Sequence, residues 1–488
     1  MTTANRRTRI AIVGGGMAGL ELAKELHRRG VTDLLVIEAG PAKELRHVNR
    51  TTSPEDALQM FLAPHNDPHF HRPWTSESSP HYDGRSGLRR RLGGRSLYWW
   101  GATVPIEDWA LNDPAWPSAI TQDLRDSWRD GPSLYERVAA DLGVEAALST
   151  SPPTPLAIGS HRFSTVVRAY HDDPTDPDQW AAYSPLDYWR DPFTGAALRD
   201  PDRPPTLSDT EVLAVTTHSG TVTGLTVRHR TTGELDHIAA ETVVLSAGTI
   251  ENSRLAIQAR HTANNSVPPR LAGLTDHIVH GFAATLNVAR NPNLPEGSYF
   301  MPGGPQVRAN VFLDLFWQND NQLYVNAKTT GEQLRNEDSY VDCVPADSYP
   351  WEVRVHTSLS ARDNEVVSAE RDLLNNIWHE LAESLDHPAE DLPFDDFQNP
   401  ATTNDTVLPE SADTQPVGKP MAWSVLLGTE EHEGGTLPLG GVVDERHELA
   451  GVRGLHIAGP SLFPRMGAAN PSLTTLALAR RLAAILAD

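Results

Sequence analysis

Cysteine is nearly absent from this sequence. The single one, Cys343, excludes an internal disulfide and a cysteine-based metal site within one chain, and fits a reducing cytoplasm. Long apolar runs are absent too, so no segment has the length of a membrane span. Basic residues are in deficit, 41 against 64 acidic, for a formal net charge of -23. Nucleic acids and anionic membranes are polyanions, and repulsion argues against both as partners. Lysine stands only at Lys24, Lys43, Lys328 and Lys419, a bias that carries no functional reading. Arg6-Arg7 precedes an apolar run without a cleavage-site pattern, so no secretory or twin-arginine signal is read. No internal repeat is found. What remains is a globular composition, 39% hydrophobic and 22% charged, in 488 residues, enough for two domains sharing a large core.

The first motif is at the start. Ile10-Ala11-Ile12-Val13 reads as a buried strand running into Gly14-Gly15-Gly16-Met17-Ala18-Gly19, a Gly-x-Gly-x-x-Gly turn. Gly14 permits the tight turn, Gly16 lets the backbone approach a pyrophosphate, and Gly19 lets helix pack on strand. A helix over 20 to 29 stops at Gly30, and a strand over 34 to 37 delivers Glu38, where an acid would hold ribose hydroxyls. Strand, turn, helix, strand and acid in this order form a dinucleotide-binding unit. The motif alone does not separate NAD from FAD.

Further on, Gly93-Gly94 lies between the basic run Arg89-Arg90-Arg91 and the aromatic run Tyr98-Trp99-Trp100, suited to reach phosphate oxygens and wall a flat ring. Helical spacing covers 109 to 142, broken at Trp116-Pro117. Residues 151 to 205 are rich in Pro, Asp and Thr and read as loops or an insertion edge. A hairpin is expected over 211–215 and 224–227, then a buried strand over 242–248, with Asn252 capping a helix. From 271 to 431 the pattern is of scattered strands between long polar loops. At the far end, Asn470-Pro471 reads as a helix start with Asn470 as cap, ahead of Leu473, Leu476 and Leu478. His456 falls inside a strand and is read as structural.

Six segments in order now carry a resemblance: the glycine loop with Glu38, Gly93-Gly94-Arg95-Ser96, Val244-Leu245-Ser246-Ala247-Gly248, Gly273-Leu274-Thr275-Asp276-His277, His432-Glu433-Gly434-Gly435-Thr436, and Asn470-Pro471. The sequence resembles the glucose-methanol-choline (GMC) FAD-dependent oxidoreductases. Leu92 to Trp100 and His432 to Thr436 look most like the pyranose-oxidase branch. The resemblance implies FAD and an α/β fold, a Rossmann-type FAD-binding domain interleaved with an α+β substrate domain built on an antiparallel sheet. The FAD domain would collect 1–150, 206–270 and 432–488, and the substrate domain 151–205 and 271–431.

The same resemblance implies a cofactor site of Gly14, Gly16, Met17, Ala18, Gly19, Glu38, Ala39, Arg91, Gly93, Gly94, Ser96, Tyr98, Trp99, Trp100, Val212, Ala247, Gly248, Gly459, Pro460, Asn470, Pro471 and Ser472. No metal is implied. Tyr98 stands where the branch often carries a histidine bonded to the flavin, so FAD is expected to be non-covalent. Trp100 replaces a small hydroxyl residue, and Gly459 stands where many members place an aspartate. His277 is expected to position the domains.

Oxidising an alcohol needs a base for the hydroxyl proton while hydride leaves the same carbon for flavin N5, and a neutral histidine suits that role. His432 is the candidate, with Asn470 orienting the substrate oxygen. The helix beginning there would direct its positive end at the anionic reduced ring. The implied enzyme oxidises a hydroxyl on a sugar or sugar-derived molecule (a pyranose, glycoside or aminoglycoside), with oxygen or another acceptor. A cationic substrate would suit the acids Glu430, Glu431 and Glu433 and the run Asp386, Glu390, Asp391, Asp395 and Asp396. The alternatives are an oxidoreductase for a sterol-like or other apolar alcohol, and a catalytically silent flavin-binding protein.

Overall fold

The computed structural model describes residues 6–50, 60, 63–78, 81–173, 176–198, 203–264, 268–394 and 417–488; Asp395 and Asp396 lie outside them. β1 (Arg6–Val13) is buried on both faces from Ile10 onward, the environment of a central parallel strand. It pairs in parallel with β2 (Leu34–Ile37) on one side and with the strand Leu235–Leu245 on the other. Thr206–Leu207 extends the sheet beyond β2. On the far edge of Leu235–Leu245, Leu455–Ile457 pairs in parallel with its end, while the hairpin Thr210–His218 and Thr221–His229 pairs antiparallel with its start. The expected hairpin is therefore present and longer than its apolar cores.

Between β1 and β2 runs α1 (Met17–Arg28), which opens three residues ahead of the expected start and takes Gly19 into its first turn. The C-terminal helix Ser472–Ala487 lies beside it, with Leu20, Leu22 and Leu26 sharing one apolar cluster with Leu482 and Ala483. Beneath that contact a buried charge network ties the two ends of the chain. Glu21 contacts Lys24 at 2.6 Å and Arg480 at 2.7 Å, and accepts from the Tyr183 hydroxyl at 2.8 Å. Burial alone would raise its pKa, but Lys24 and Arg480 outweigh it and hold the carboxyl below its usual range.

A second sheet is antiparallel, in the order Met421–Val425, Val279–Leu286, Gln322–Gly331, Ala309–Asn319, Gly297–Met301, His161–Thr165 and Leu156–Ile158. One face packs on the helix Ala361–Ser384 through Leu374, Ile377, Trp378 and Leu381. A third sheet joins Arg270–Ala272, Tyr340–Val344, Glu352–His356 and Trp74–Ser76, and buries Cys343, whose thiol burial pushes up to about 12. The architecture is α/β, a Rossmann-type nucleotide-binding domain interleaved with an α+β domain on an antiparallel sheet.

Three local expectations differ. Residues 151–205, read as loops or an insertion edge, contain four strands among the described residues: Leu156–Ile158, His161–Thr165, Tyr170–Asp173 and Asp176–Ala182. They are short, and all but Leu156–Ile158 are rich in polar residues, so period-2 patterning is weak. Within 271–431, read as strands and loops, lies the helix Ala361–Ser384, whose Ser360 and Asp363 form a capping box. Asn252 is no cap: its helix, Thr249–Ala263, starts at Gly248, and the Asn252 side chain accepts from Ala247 N at 2.8 Å and donates to Ala458 O at 3.0 Å. No helix among the described residues is long and apolar enough to cross a membrane.

Candidate active site

A cavity of about 860 Å³ opens between segments of the first and second sheets. It collects Gly14, Gly16, Met17, Ala18, Glu38, Ala39, Gly94, Ser96, Tyr98, Trp99, Trp100, Val212, Ala247, Gly248, His432, Gly459, Pro460, Asn470, Pro471 and Ser472 from the expected set. Gly19, Arg91 and Gly93 do not line it. At Gly19 a Cβ would stand 2.1 Å from Gly14 O, so this glycine serves helix–strand packing. Arg91 lies behind the wall, donating to the Tyr98 hydroxyl at 3.2 Å.

Three helices aim their N-termini at this space: α1 from Gly16, Thr249–Ala263 from Gly248, and Ser472–Ala487 from Pro471, none with a side-chain cap. Their first N–H groups therefore need other acceptors, and their ends carry partial positive charge. That arrangement suits an anionic diphosphate and an electron-accepting ring. Gly14, at φ +103°, has Ser246 O where a Cβ would come to 2.5 Å, while beside Gly16 no atom would lie within 4 Å of one. Glu38 lines the cavity and accepts from Gly15 N at 2.9 Å and Gly40 N at 2.7 Å, pinning the glycine loop. Burial raises its pKa, against those two hydrogen bonds. A dinucleotide cofactor fits these residues.

Asn470 is not the cap of the last helix, Ser472–Ala487, whose cap position is Pro471. Its Oδ1 is buried without a partner, and its Nδ2 points at His432 Nε2, 3.5 Å away. The other ring nitrogen of His432, Nδ1, lies 2.9 Å from His277 Nδ1, and His277 Nε2 lies 3.2 Å from Gly467 O. A carbonyl only accepts, so His277 carries its proton on Nε2 and offers a lone pair at Nδ1. His432 then donates from Nδ1 and leaves the lone pair of Nε2 toward Asn470 and the cavity. Burial first, then His277, Lys328 and Arg95, hold His432 well below its ordinary pKa; burial takes His277 down to about 4. The pair is neutral at physiological pH, with one base nitrogen exposed to a ligand. His277 thus acts on His432 directly, a role beyond the expected positioning of domains.

Arg95 holds the histidine segment in place. It contacts Glu433 at 2.5 and 2.8 Å, Glu431 O at 2.9 Å and the Glu431 carboxylate at 3.2 Å. Arg95 and His277 escaped sequence reasoning as site residues because their partners lie 338 and 155 positions away. These ion pairs also change the electrostatic expectation. Glu430 is paired with Lys328 at 2.9 Å, Glu431 with Arg89 and Arg95, and Glu433 with Arg95. Around the cavity seven arginine or lysine side chains face seven carboxylates. Each acid of the histidine loop is thus matched by a cation of the same cavity.

The second sheet roofs the site by simple alternation. Val311, Leu313, Leu315, Leu323, Val325 and Ala327 are fully buried on its far face, while Phe312, Asp314, Phe316, Tyr324, Asn326 and Lys328 line the cavity. Asp276, His277 and His432 place potential ligand atoms within 4.8 Å of one another. Each already has another use: Asp276 accepts from Gly428 N at 2.6 Å and His277 N at 2.7 Å, and the two imidazoles bond to each other. Hydrogen bonding accounts for the cluster without an ion.

No curated protein matches the chain. Among solved structures, pyridoxine 4-oxidase from Mesorbium loti is 18% identical over 98% of both chains, with a TM-score of 0.61. A formate oxidase is 15% identical over 99% of both, with a TM-score of 0.62. An Aspergillus oryzae formate oxidase, solved for the effect of a substitution on FAD modification, is 14% identical over 99% of both, with a TM-score of 0.63. At these identities the likeness is one of fold. Residues 337–479, which hold His432 and Asn470, match the family model for GMC oxidoreductase. This match, the ordered motifs and the fold shared with the solved oxidases support membership of the GMC oxidoreductases, a family of FAD-dependent enzymes.

Proposed function

We propose that this enzyme binds FAD non-covalently and oxidises a hydroxyl group of a sugar or sugar-derived molecule. The observation that carries the reading is the convergence on one cavity of the His432 Nε2 lone pair, the Asn470 amide beside it and the uncapped N-terminus of Ser472–Ala487. Gly16, Met17 and Gly94 would lie along the diphosphate, Glu38 at the adenosine ribose, and Pro471 and Ser472 at the ring. FAD, when bound, supplies the hydride acceptor. Asn470 Nδ2 orients the substrate oxygen, and His432 Nε2 takes its proton. His277 keeps the reactive nitrogen unprotonated, and Arg95 keeps the ring aimed.

A polyhydroxylated substrate is supported by the roof, where Asp314 and the unpartnered, buried Asn326 Oδ1 offer acceptors and Arg168 offers donors. A sterol would strand these groups, at a cost of about 1–3 kcal/mol each. The known activities of pyridoxine 4-oxidase and formate oxidase, named for small polar molecules, agree with a small polar substrate. The proposed FAD domain takes 1–150, 206–270 and 432–488, and the substrate domain 151–205 and 271–431. Oxygen or another acceptor would complete turnover, and the lone buried thiol suits the cytoplasm.

The test is an anaerobic screen for bleaching of bound flavin across neutral sugars, amino sugars, glycosides and apolar alcohols. Bleaching by sugars or glycosides is expected. Bleaching by apolar alcohols alone would replace the substrate class, and none with any alcohol would favour the silent flavin-binding protein.

A further inference from the structure

We infer that the substrate carries a second ring, an aromatic aglycone, that stacks at the mouth of the cavity on Phe316; this rests on the sugar reading above and assigns its glycoside class. The argument starts from the register of two roof strands. Phe312 faces Lys328, Asp314 faces Asn326 and Phe316 faces Tyr324, three cross-strand pairs on the cavity side. Residues on one face recur every second position, so successive pairs lie about 7 Å apart along the strands.

The first pair marks the catalytic end. Lys328 is bonded to Glu430 at 2.9 Å, two residues from His432. The middle pair is polar and built for hydroxyl groups. Asp314 accepts from Ser298 Oγ at 2.5 Å, Arg168 donates to that same hydroxyl at 3.1 Å, and Asn326 Oδ1 is buried with no partner. A sugar ring whose reacting hydroxyl sits at His432 would lay its remaining hydroxyls under this pair.

The third pair lies about 14 Å from the first and changes character. Phe316 is 46% exposed, its cross-strand neighbour Tyr324 also lines the cavity, and Trp100, contributed by the first domain, is likewise 46% exposed. Trp100 already packs on Trp180 at 5.6 Å, and the half-exposed ring of Phe316 at the rim of the cavity, beyond a polar middle, suits a flat apolar group rather than more hydroxyls. The group must be joined to the sugar, because the polar pair lies between it and the base.

The test compares methyl and phenyl glucopyranosides of both anomers on the FAD-loaded enzyme, by equilibrium titration of tryptophan fluorescence and by anaerobic flavin reduction. The phenyl glycoside should bind about two- to tenfold more tightly than the methyl one, the range expected of one aromatic pair. Phe316→Ala should abolish that preference, and Phe316→Tyr should retain it. Reduction of flavin by both glycosides with equal affinity would overturn the outer subsite alone. A preference that survives Phe316→Ala would do the same. If neither glycoside binds or reduces flavin while other alcohols do, the sugar reading falls and the subsite falls with it.

Discussion

His277 and His432 meet through their Nδ1 atoms at 2.9 Å, one accepting and the other donating, because Gly467 O claims the only proton of His277. The relationship fixes which nitrogen of His432 can act. It joins a residue at the entry of the second sheet to one in the C-terminal segment, so the base is set only when these two segments meet.

Replacing His277 should therefore act through His432. In His277→Ala the Nδ1 proton of His432 loses its acceptor, and the limiting rate of flavin reduction should fall by about 10-fold or more, part of the roughly 10²-fold a positioned base contributes. The pH profile separates this from a structural effect. In the parent, burial and the neighbouring His277, Lys328 and Arg95 hold His432 well below its ordinary value, so reduction should stay flat as pH falls through about 6.5. In the variant the acid limb should move upward, and an unmoved limb would remove His277 from this role.

His432→Ala should slow flavin reduction by about 10²-fold or more while the bound flavin spectrum changes little. Stopped-flow reduction with the best substrate measures it. A parent-like rate would take the base elsewhere.

Asn470 separates two roles that its sequence context had merged. As a helix cap its loss would cost about 1 kcal/mol, but Pro471 holds the cap position of Ser472–Ala487 without a side-chain bond, and the Asn470 amide reaches His432 instead. Asn470→Ala should slow reduction with the thermal midpoint kept close to that of the parent. A stability loss with a normal rate would restore the cap.

Much of this was legible in the sequence, and what was not has a common cause. The glycine loop and Glu38 sit in a short local pattern whose geometry is decided by neighbours a few residues away, whereas His432 and Asn470 are pointed to by the order of the resembling segments along the whole chain. Three-dimensional juxtaposition decides the rest. No pattern joins Arg95 to Glu433 or His277 to His432. Nor could counting acids reveal that Glu430, Glu431 and Glu433 are each matched by a cation from another segment. The helix Ala361–Ser384 carried a readable signal, Ser360 three residues before Asp363 ahead of an apolar pattern, but polar residues break that pattern often enough to mask it.

Stability should decline as pH falls from about 6.5 to about 4. Burial lowers His47, His71, His81 and His277 to about 4, and His280 and His447 to about 3. Within that window the unfolded chain binds more protons at these sites, so each opposes folding by up to about 1.4 kcal/mol per pH unit. Glu107, raised to about 7, Asp187, raised to about 6, and Glu38, Asp276 and Glu370, raised as well, all chiefly by burial, act in the opposite sense but are fewer than the lowered histidines. Thermal midpoints of the FAD-loaded enzyme at pH 7, 5.5 and 4.5 should fall in that order. A constant midpoint would show that these histidines are hydrated or already charged.

The flavin linkage turns on Tyr98. Its ring lines the cavity under the Arg89 guanidinium at 5.0 Å, and its hydroxyl takes a hydrogen bond from Arg91 at 3.2 Å. Burial raises the pKa of the phenol, so it stays protonated and a poor nucleophile. The side chain can pack against a flavin, but it offers no imidazole nitrogen for a bond to it. Acid precipitation should therefore release FAD into the supernatant and leave a colourless pellet. Flavin absorbance retained in the washed, denatured pellet would show a covalent bond and require an attachment residue other than a histidine at position 98.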